Sequence, residues 1–220
     1  MLASDRQSHV ATPNSEMLVE ASHNAALRSI LQSTALNIPD SAGLLFVARM
    51  KGEKLPERVT GVDTVRDFCA ALASDIPVFL LGGAPGIAER AADALRAINP
   101  HLSIAGTYAG SPSDVEAPAI LERINASGAK LLLVAYGVPS QETWIARHLS
   151  SLPAVRVAIG VGGTFDFLAG AVMRAPFLLR NLHLEWAWRL LLQPWRIKRI
   201  LRAVIVFPWL ALTERSHPRP

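Results

Sequence analysis

Short apolar runs recur along the chain, each followed by a turn signal and then by an Ala-rich stretch whose apolar positions repeat at helical spacing. The runs predict strands at 35–38, 78–81, 102–105, 130–135 and 155–159. The stretches between them predict helices at 17–32, 87–98, 115–126 and 141–149, the third capped by Ser113 or Asp114 with Glu116 in its first turn. Residues 42–50 carry a further apolar helix. Strands alternating with helices predict an α/β fold, a Rossmann-like, mostly parallel sheet flanked by helices. His9-Val10-Ala11 reads as the last part of a first strand whose beginning is nearly absent. Near Arg174-Ala175-Pro176 the pattern changes and Trp and Arg dominate. That shift divides the chain into an α/β core, residues 1–173, and an Arg/Trp-rich helical appendage, residues 174–220.

At 220 residues the chain is long enough to bury a core. Half of it is apolar and only 18% is charged, so some of that apolar surface is deeply buried or meets lipid. The charge is uneven. From Arg174 onward the basic residues, Arg180, Arg189, Arg196, Lys198, Arg199, Arg202 and Arg215 among them, face only two acids, Glu185 and Glu214. A basic end on a near-neutral body points to an anionic partner, phosphates or acidic headgroups. Nucleic acid is disfavoured, because the basic surface is confined to one Trp-rich end beside an apolar tract. That tract, 203–212, falls far short of the roughly 20 residues that span a bilayer, so it is expected to lie on a membrane and not to cross one. The chain opens on polar residues with no secretory signal, and its single cysteine, Cys69, excludes a disulfide framework. Both fit a protein that stays in a reducing cytoplasm.

Candidate chemistry gathers where strands end, the edge at which open α/β sheets bind ligands. Thr12-Pro13-Asn14 offers two small polar side chains to a sugar or ribose, or a turn and helix cap. Asp40 can act as a general base on a hydroxyl, or as the cap of helix 42–50. Arg58 is a phosphate clamp or a solvated arginine. Leu81-Gly82-Gly83-Ala84-Pro85-Gly86 opens a helix that can receive phosphate, yet it fails the dinucleotide fingerprint, which argues against a nicotinamide enzyme. Asp166, in the glycine-rich run Gly160-Val161-Gly162-Gly163-Thr164-Phe165-Asp166, can accept bonds from a base or ribose, or the glycines serve close packing alone. Gln141 and Glu142 sit in a first helical turn, where a cap is the simplest role. Tyr108 can stack on a base or simply pack. No histidine has metal-ligand spacing, so neither metal nor cofactor is expected. Arg196, Arg199 and Arg202 share a helical face if Pro194 starts that helix. Tryptophans beside them suit a membrane interface or a soluble packed helix, and some of these arginines can instead reach a diphosphate.

The array as a whole resembles the WecG/TagA/CpsF glycosyltransferase family, also called glycosyltransferase family 26. Thr12-Pro13-Asn14, Pro39-Asp40-Ser41-Ala42-Gly43, Glu57-Arg58-Val59-Thr60-Gly61-Val62-Asp63, Gly137-Val138-Pro139-Ser140-Gln141-Glu142, Gly160 to Phe167, Arg174-Ala175-Pro176 and Glu185-Trp186 carry the resemblance by their order and spacing. It implies an inverting, metal-independent transfer of a hexose or N-acetylhexosamine from a UDP-sugar to a polyprenyl-diphosphate-linked saccharide. The setting it implies is the cytoplasmic face of the bacterial inner membrane, in synthesis of exopolysaccharide, capsule, teichoic acid or common antigen. It places Asp40 as base, Thr12, Asn14 and Arg58 beside it, and Tyr108, Gln141, Gly162 and Asp166 at the nucleotide. Arg189, Arg196, Arg199 and Arg202 fall on the appendage, expected at diphosphate and membrane, and copies of the core can associate. Ser41 departs from the usual Pro-Asp-Gly and is expected to alter the loop carrying the base. Two rival readings are an inactive membrane-bound scaffold of a polysaccharide complex and a nucleotide-sugar-modifying enzyme with a soluble substrate.

Overall fold

Uninterrupted apolar runs are what a parallel sheet needs, since helices cover both of its faces. In the computed structural model, which describes residues 1–55, 59–176, 178–179 and 185–213, six strands, β3 and β5 the most apolar of them, pair in parallel in the order β2-β1-β6-β5-β3-β4. They are β1 (Ser8–Ala11), β2 (Leu36–Asn37), β3 (Val78–Gly82), β4 (Ile104–Tyr108), β5 (Leu131–Ala135) and β6 (Val157–Gly160). Alternate side chains serve opposite faces. Leu80, Leu133 and Ile159 pack with Val65 and Cys69 of α4 (Gly61–Ala71), the alanines of α5 (Ile87–Ile98) and Phe165 of α8 (Thr164–Leu168). Leu81, Leu132 and Val134 meet Ile120 and Ile124 of α6 (Ala117–Ser127) and Trp144 and Ile145 of α7 (Ser140–His148). Each such aliphatic side chain contributes about 1.5–3 kcal/mol on full burial. The strand expected to lack its beginning is central: β1 pairs with β6 over all four of its residues and with β2 on its other side.

Several element boundaries differ from expectation, β6 starting two residues late at Val157 and β2 shortened to Leu36–Asn37 among them, and three others have features of their own. The helix predicted at 17–32 is two, α1 (Ser15–His23) and α2 (Ala25–Ser33), because Asn24 is extended and its side-chain oxygen accepts from Leu27 N at 3.0 Å. One residue thus ends the first helix and caps the second. β4 starts two residues late, with Leu102 already buried ahead of it. α6 begins without the predicted cap: Asp114 pairs with Arg147 at 3.2 Å, and Pro118 stands in the first turn, where its missing N–H costs nothing.

Two features position the site. Helix α1 follows β1 and packs on the face of Ala11, whereas α8 follows the neighbouring β6 and packs on the other face through Phe165. A crevice therefore opens at the carboxyl ends of β1 and β6. Second, the C-terminal segment returns to the core. It contains α9 (Glu185–Leu192), a 3-10 turn at Pro194–Arg196, α10 (Ile197–Leu201), a π-helical turn at Arg202–Val206 and α11 (Phe207–Thr213). Pro208 lacks the N–H that an α-helix would donate to Val204, a local cause for the widened turn. Phe207 is buried against Val19 of α1 and Val47 of α3 (Ala42–Met50).

Candidate active site

The crevice holds a cavity of about 610 Å³. Thr12, at the end of β1, is buried and donates its hydroxyl to Gly160 O at 2.8 Å, tying the ends of β1 and β6 together. Asn14 caps α1, its Oδ1 accepting from Met17 N at 2.9 Å, so the cap reading holds for that oxygen while the residue lines the cavity.

Asp40 does not cap α3. Ser41 does, its hydroxyl accepting from Leu44 N at 3.2 Å and sharing a 2.8 Å hydrogen bond with Ser15. The departure from Pro-Asp-Gly thus adds a cap one residue beyond Asp40, which lines the cavity. Asp40 N donates to Pro13 O at 2.8 Å, which sets the backbone at this point. Gly61, first residue of α4, shows what surrounds the carboxylate. A Cβ there would lie 3.3 Å from Asp40 Oδ2, 3.3 Å from Thr164 Oγ1 and 3.8 Å from Thr12 Oγ1. A carboxylate and two hydroxyls from three different segments therefore converge on one bare backbone position.

The wall beside them is made by the loops after β5 and β6. Gln141 Oε1 accepts from Gly137 N at 3.1 Å and from Gly162 N at 2.9 Å, so one buried amide oxygen joins both loops. Gln141 Nε2 donates to Glu142 Oε1 at 2.9 Å, and Glu142 Oε2 lies 2.6 Å from His9 Nε2. Glu142 is not the helix cap expected of it: it is wholly buried, reaching from α7 to β1. Asp166 lines the cavity from the first turn of α8.

A family model described as the glycosyl transferase WecG/TagA/CpsF family matches residues 1–220, the whole chain. The chain belongs to this family. It is a glycosyltransferase family of cell-surface polysaccharide biosynthesis, which implies a nucleotide-sugar donor and a saccharide acceptor.

In this WecG/TagA/CpsF member the roof of the cavity comes from the C-terminal segment, with Trp186, Gln193, Trp195, Arg199, Ile200 and Ala203. Arg199 makes two hydrogen bonds to the Glu16 carboxylate, at 2.7 and 2.8 Å, so the roof is ion-paired to the first turn of α1. Arg202 is exposed on the π-helical turn. The side chains of Arg189 and Arg196 lie outside the described residues, as does Arg58. Pro194 starts a 3-10 turn, and the α-helix begins at Ile197.

Two expected site features, Tyr108 and the Gly82-Gly83 turn, are not among the residues lining the cavity. Tyr108, on the edge strand β4 with the Arg123 guanidinium 4.7 Å from its ring centroid, is not itself a lining residue, but its ring lies beside the Tyr136 hydroxyl: a Cβ on Gly110 would lie 2.8 Å from Tyr108 Cε1 and 3.0 Å from Tyr136 Oη. Tyr136 lines the cavity instead, and burial pushes its phenol well above the usual range. The Gly82-Gly83 turn does not line it either: a Cβ on Gly82 would lie 2.8 Å from the Ala135 carbonyl carbon, so the glycine serves the close approach of β3 to β5. Beside the cavity, Arg174 binds both oxygens of Asp63 at 2.9 Å, and Thr60 donates to Asp63 at 2.6 Å. The Arg174 hydrogen bonds hold the Asp63 carboxyl down at about 2. Burial pushes the Cys69 thiol up to about 12, which leaves it inert as a nucleophile.

The sequence reading missed Thr164, Glu16, Tyr136 and the His9–Glu142 pair. Thr164 had a signal, a hydroxyl residue directly after a strand-end glycine run. Glu142 had none, since its partner His9 is 133 residues away.

Proposed function

We propose that this chain is an inverting transferase that moves a hexose or N-acetylhexosamine from a UDP-sugar to a polyprenyl-diphosphate-linked saccharide. Residues 1–173 carry the donor site and residues 174–220 dock on the cytoplasmic face of the bacterial inner membrane. The observation that carries the reading is the Asp40 carboxylate set beside the Thr12 and Thr164 hydroxyls in the crevice between β1 and β6. Asp40 takes the proton of the acceptor hydroxyl; the oxygen attacks the anomeric carbon from the face opposite the nucleotide, and UDP leaves with the bonding pair. One direct displacement inverts the anomeric centre. Positive charge stabilises the leaving diphosphate, and Arg199 is the described arginine on the cavity wall that can supply it by exchanging Glu16 for phosphate.

The membrane role rests on a helix that is apolar on two sides. Phe207, Leu210 and Ala211 face the core. Leu201, Ile205, Trp209 and Leu212, at steps of four, four and three, are 44%, 60%, 69% and 44% exposed. Such a stripe beside Lys198 and Arg202 suits the lipid interface, with the basic groups at headgroup depth. No helix among the described residues is long and apolar enough to cross a membrane.

The test is UDP release from a panel of UDP-sugars with and without a lipid-diphosphate-linked acceptor. Acceptor-dependent release, unchanged by EDTA, is expected. Release without acceptor points to a soluble-substrate enzyme, and no release from folded protein points to the scaffold reading.

A further inference from the structure

The buried chain His9–Glu142–Gln141 lies behind the cavity wall, and the transfer chemistry makes no use of its first two members. We propose that Glu142, held by His9, is a positioning residue for the donor site. It sets the sense of the Gln141 amide and so fixes the two backbone loops between which the nucleotide-sugar enters. This inference deepens the proposed function and rests on it.

A Gln side chain can present either end. Here Glu142 Oε1 takes the NH2 end at 2.9 Å, which leaves the oxygen end to receive Gly137 N and Gly162 N. His9 Nε2 is hydrogen-bonded to Glu142 Oε2 across 2.6 Å, which keeps the carboxyl group from rotating. Turned over, Gln141 would set an NH2 group against two N–H donors, and both loops would move. The arrangement is built for this purpose at a cost in sequence freedom. Glu142 is wholly buried and Gln141 is 1% exposed. Position 160 must be glycine, because a Cβ there would overlap Glu142 Oε1 and lie 2.7 Å from Gln141 Nε2. Both pinned loops line the cavity, through Tyr136 and Val138 on one side and Gly163, Thr164 and Asp166 on the other. The residues on the pinned loops face the donor side of the cavity, with Thr164 alone reaching toward Asp40. Its loss is therefore expected to fall on donor binding more than on the acceptor.

The experiment uses the full chain, with Glu142→Gln as the isosteric variant that allows Gln141 to turn and His9→Gln as a variant that still donates to Glu142. Hydrogen exchange at the Gly137 and Gly162 amides is read first, since it needs no substrate. Glu142→Gln is expected to speed exchange at both by tenfold or more while amides of β3 stay protected. With substrates, KM for the UDP-sugar rises about tenfold, KM for the acceptor is unchanged, and His9→Gln restores most of the donor affinity relative to His9→Ala. Unchanged exchange at both glycines overturns the proposal. So does a parallel rise in donor and acceptor KM, or a general loss of protection in every variant. A wild-type protein without turnover overturns the transferase reading, while the exchange measurement still decides whether Glu142 fixes the loops.

Discussion

The floor and the roof of the cavity are built by different physics. The floor belongs to the sheet edge: Thr12, Gly160, Gln141 and Glu142 are buried and joined by hydrogen bonds that cross from one strand end to the next. Among the described residues the roof is tied to the core by a small apolar cluster around Phe207, by the ion pair Glu16–Arg199, whose arginine side chain is half exposed, and at its start by Arg174 on Asp63. Exposed ion pairs contribute roughly 0–1 kcal/mol, whereas a buried polar group left without its partner costs about 1–3 kcal/mol. Breaking the floor's buried hydrogen bonds therefore costs more than breaking the roof's exposed ion pair. The proposed transfer, from a soluble donor to a lipid-borne acceptor, would gain from that contrast, since reacting groups must be held closely while a long acceptor enters and leaves.

The contrast can be broken from either side. The largest effect is expected from Asp40→Asn, which removes the proposed base without changing shape: kcat falls by about 10³-fold, within the range of general-base catalysis. UDP binding by calorimetry should be unchanged, and wild-type turnover in this variant would remove Asp40 from the chemistry. Next is Gly160→Ala, which forces a methyl group onto the Glu142 carboxyl in a floor with no slack. A loss of about 3 kcal/mol in urea unfolding is expected, as for an overpacked core. A neutral result would show that the floor yields as readily as the roof. On the roof, Ile205→Ser combined with Trp209→Ser should weaken binding to vesicles of phosphatidylglycerol and phosphatidylethanolamine about tenfold. Core stability and UDP binding should not change, and undiminished vesicle binding would place the membrane contact elsewhere.

The smallest effect concerns Asp63, which joins α4 to the start of the C-terminal segment through Arg174. Its carboxyl titrates at about 2, below the ordinary 3.8, so the ion pair contributes stability that is full above that ordinary value. The contribution is lost as pH falls from 3.8 through about 2. With the side chain partly open to solvent, about 1 kcal/mol is at stake. Urea midpoints between pH 2 and 5 should converge for wild type and Arg174→Ala at the acid end; parallel curves would detach Asp63 from this role.

Local chemistry explains which expectations held. β3 and β5 were legible because residues 78–81 and 131–134 are apolar without a break, and only burial on both faces accommodates that. The division of 17–32 at Asn24 was missed because apolar periodicity runs through it, and the cap depends on one side chain turning back on its own helix. Asp40 had two local roles open to it, base and helix cap, and the cap fell to Ser41, whose hydroxyl accepts from Leu44 N. Tyr108 stood at a strand end like the other candidates, but its strand is the sheet's edge, far along the order from β1 and β6.

By itself, then, the sequence determined the strands, most helices, the basic Trp-rich end and the family, because each is written in contiguous residues or in motifs of fixed order. The tertiary structure alone decided that Thr12, Asp40, Gly61 and Thr164 meet at one point, and that His9 sits behind Glu142. It also decided that Arg199 is paired with Glu16 and that the last helix turns one apolar face to the core and the other outward. Those are relations between segments up to 183 residues apart. They are set by which strands neighbour each other in the sheet and which face each following helix takes, and linear spacing encodes neither.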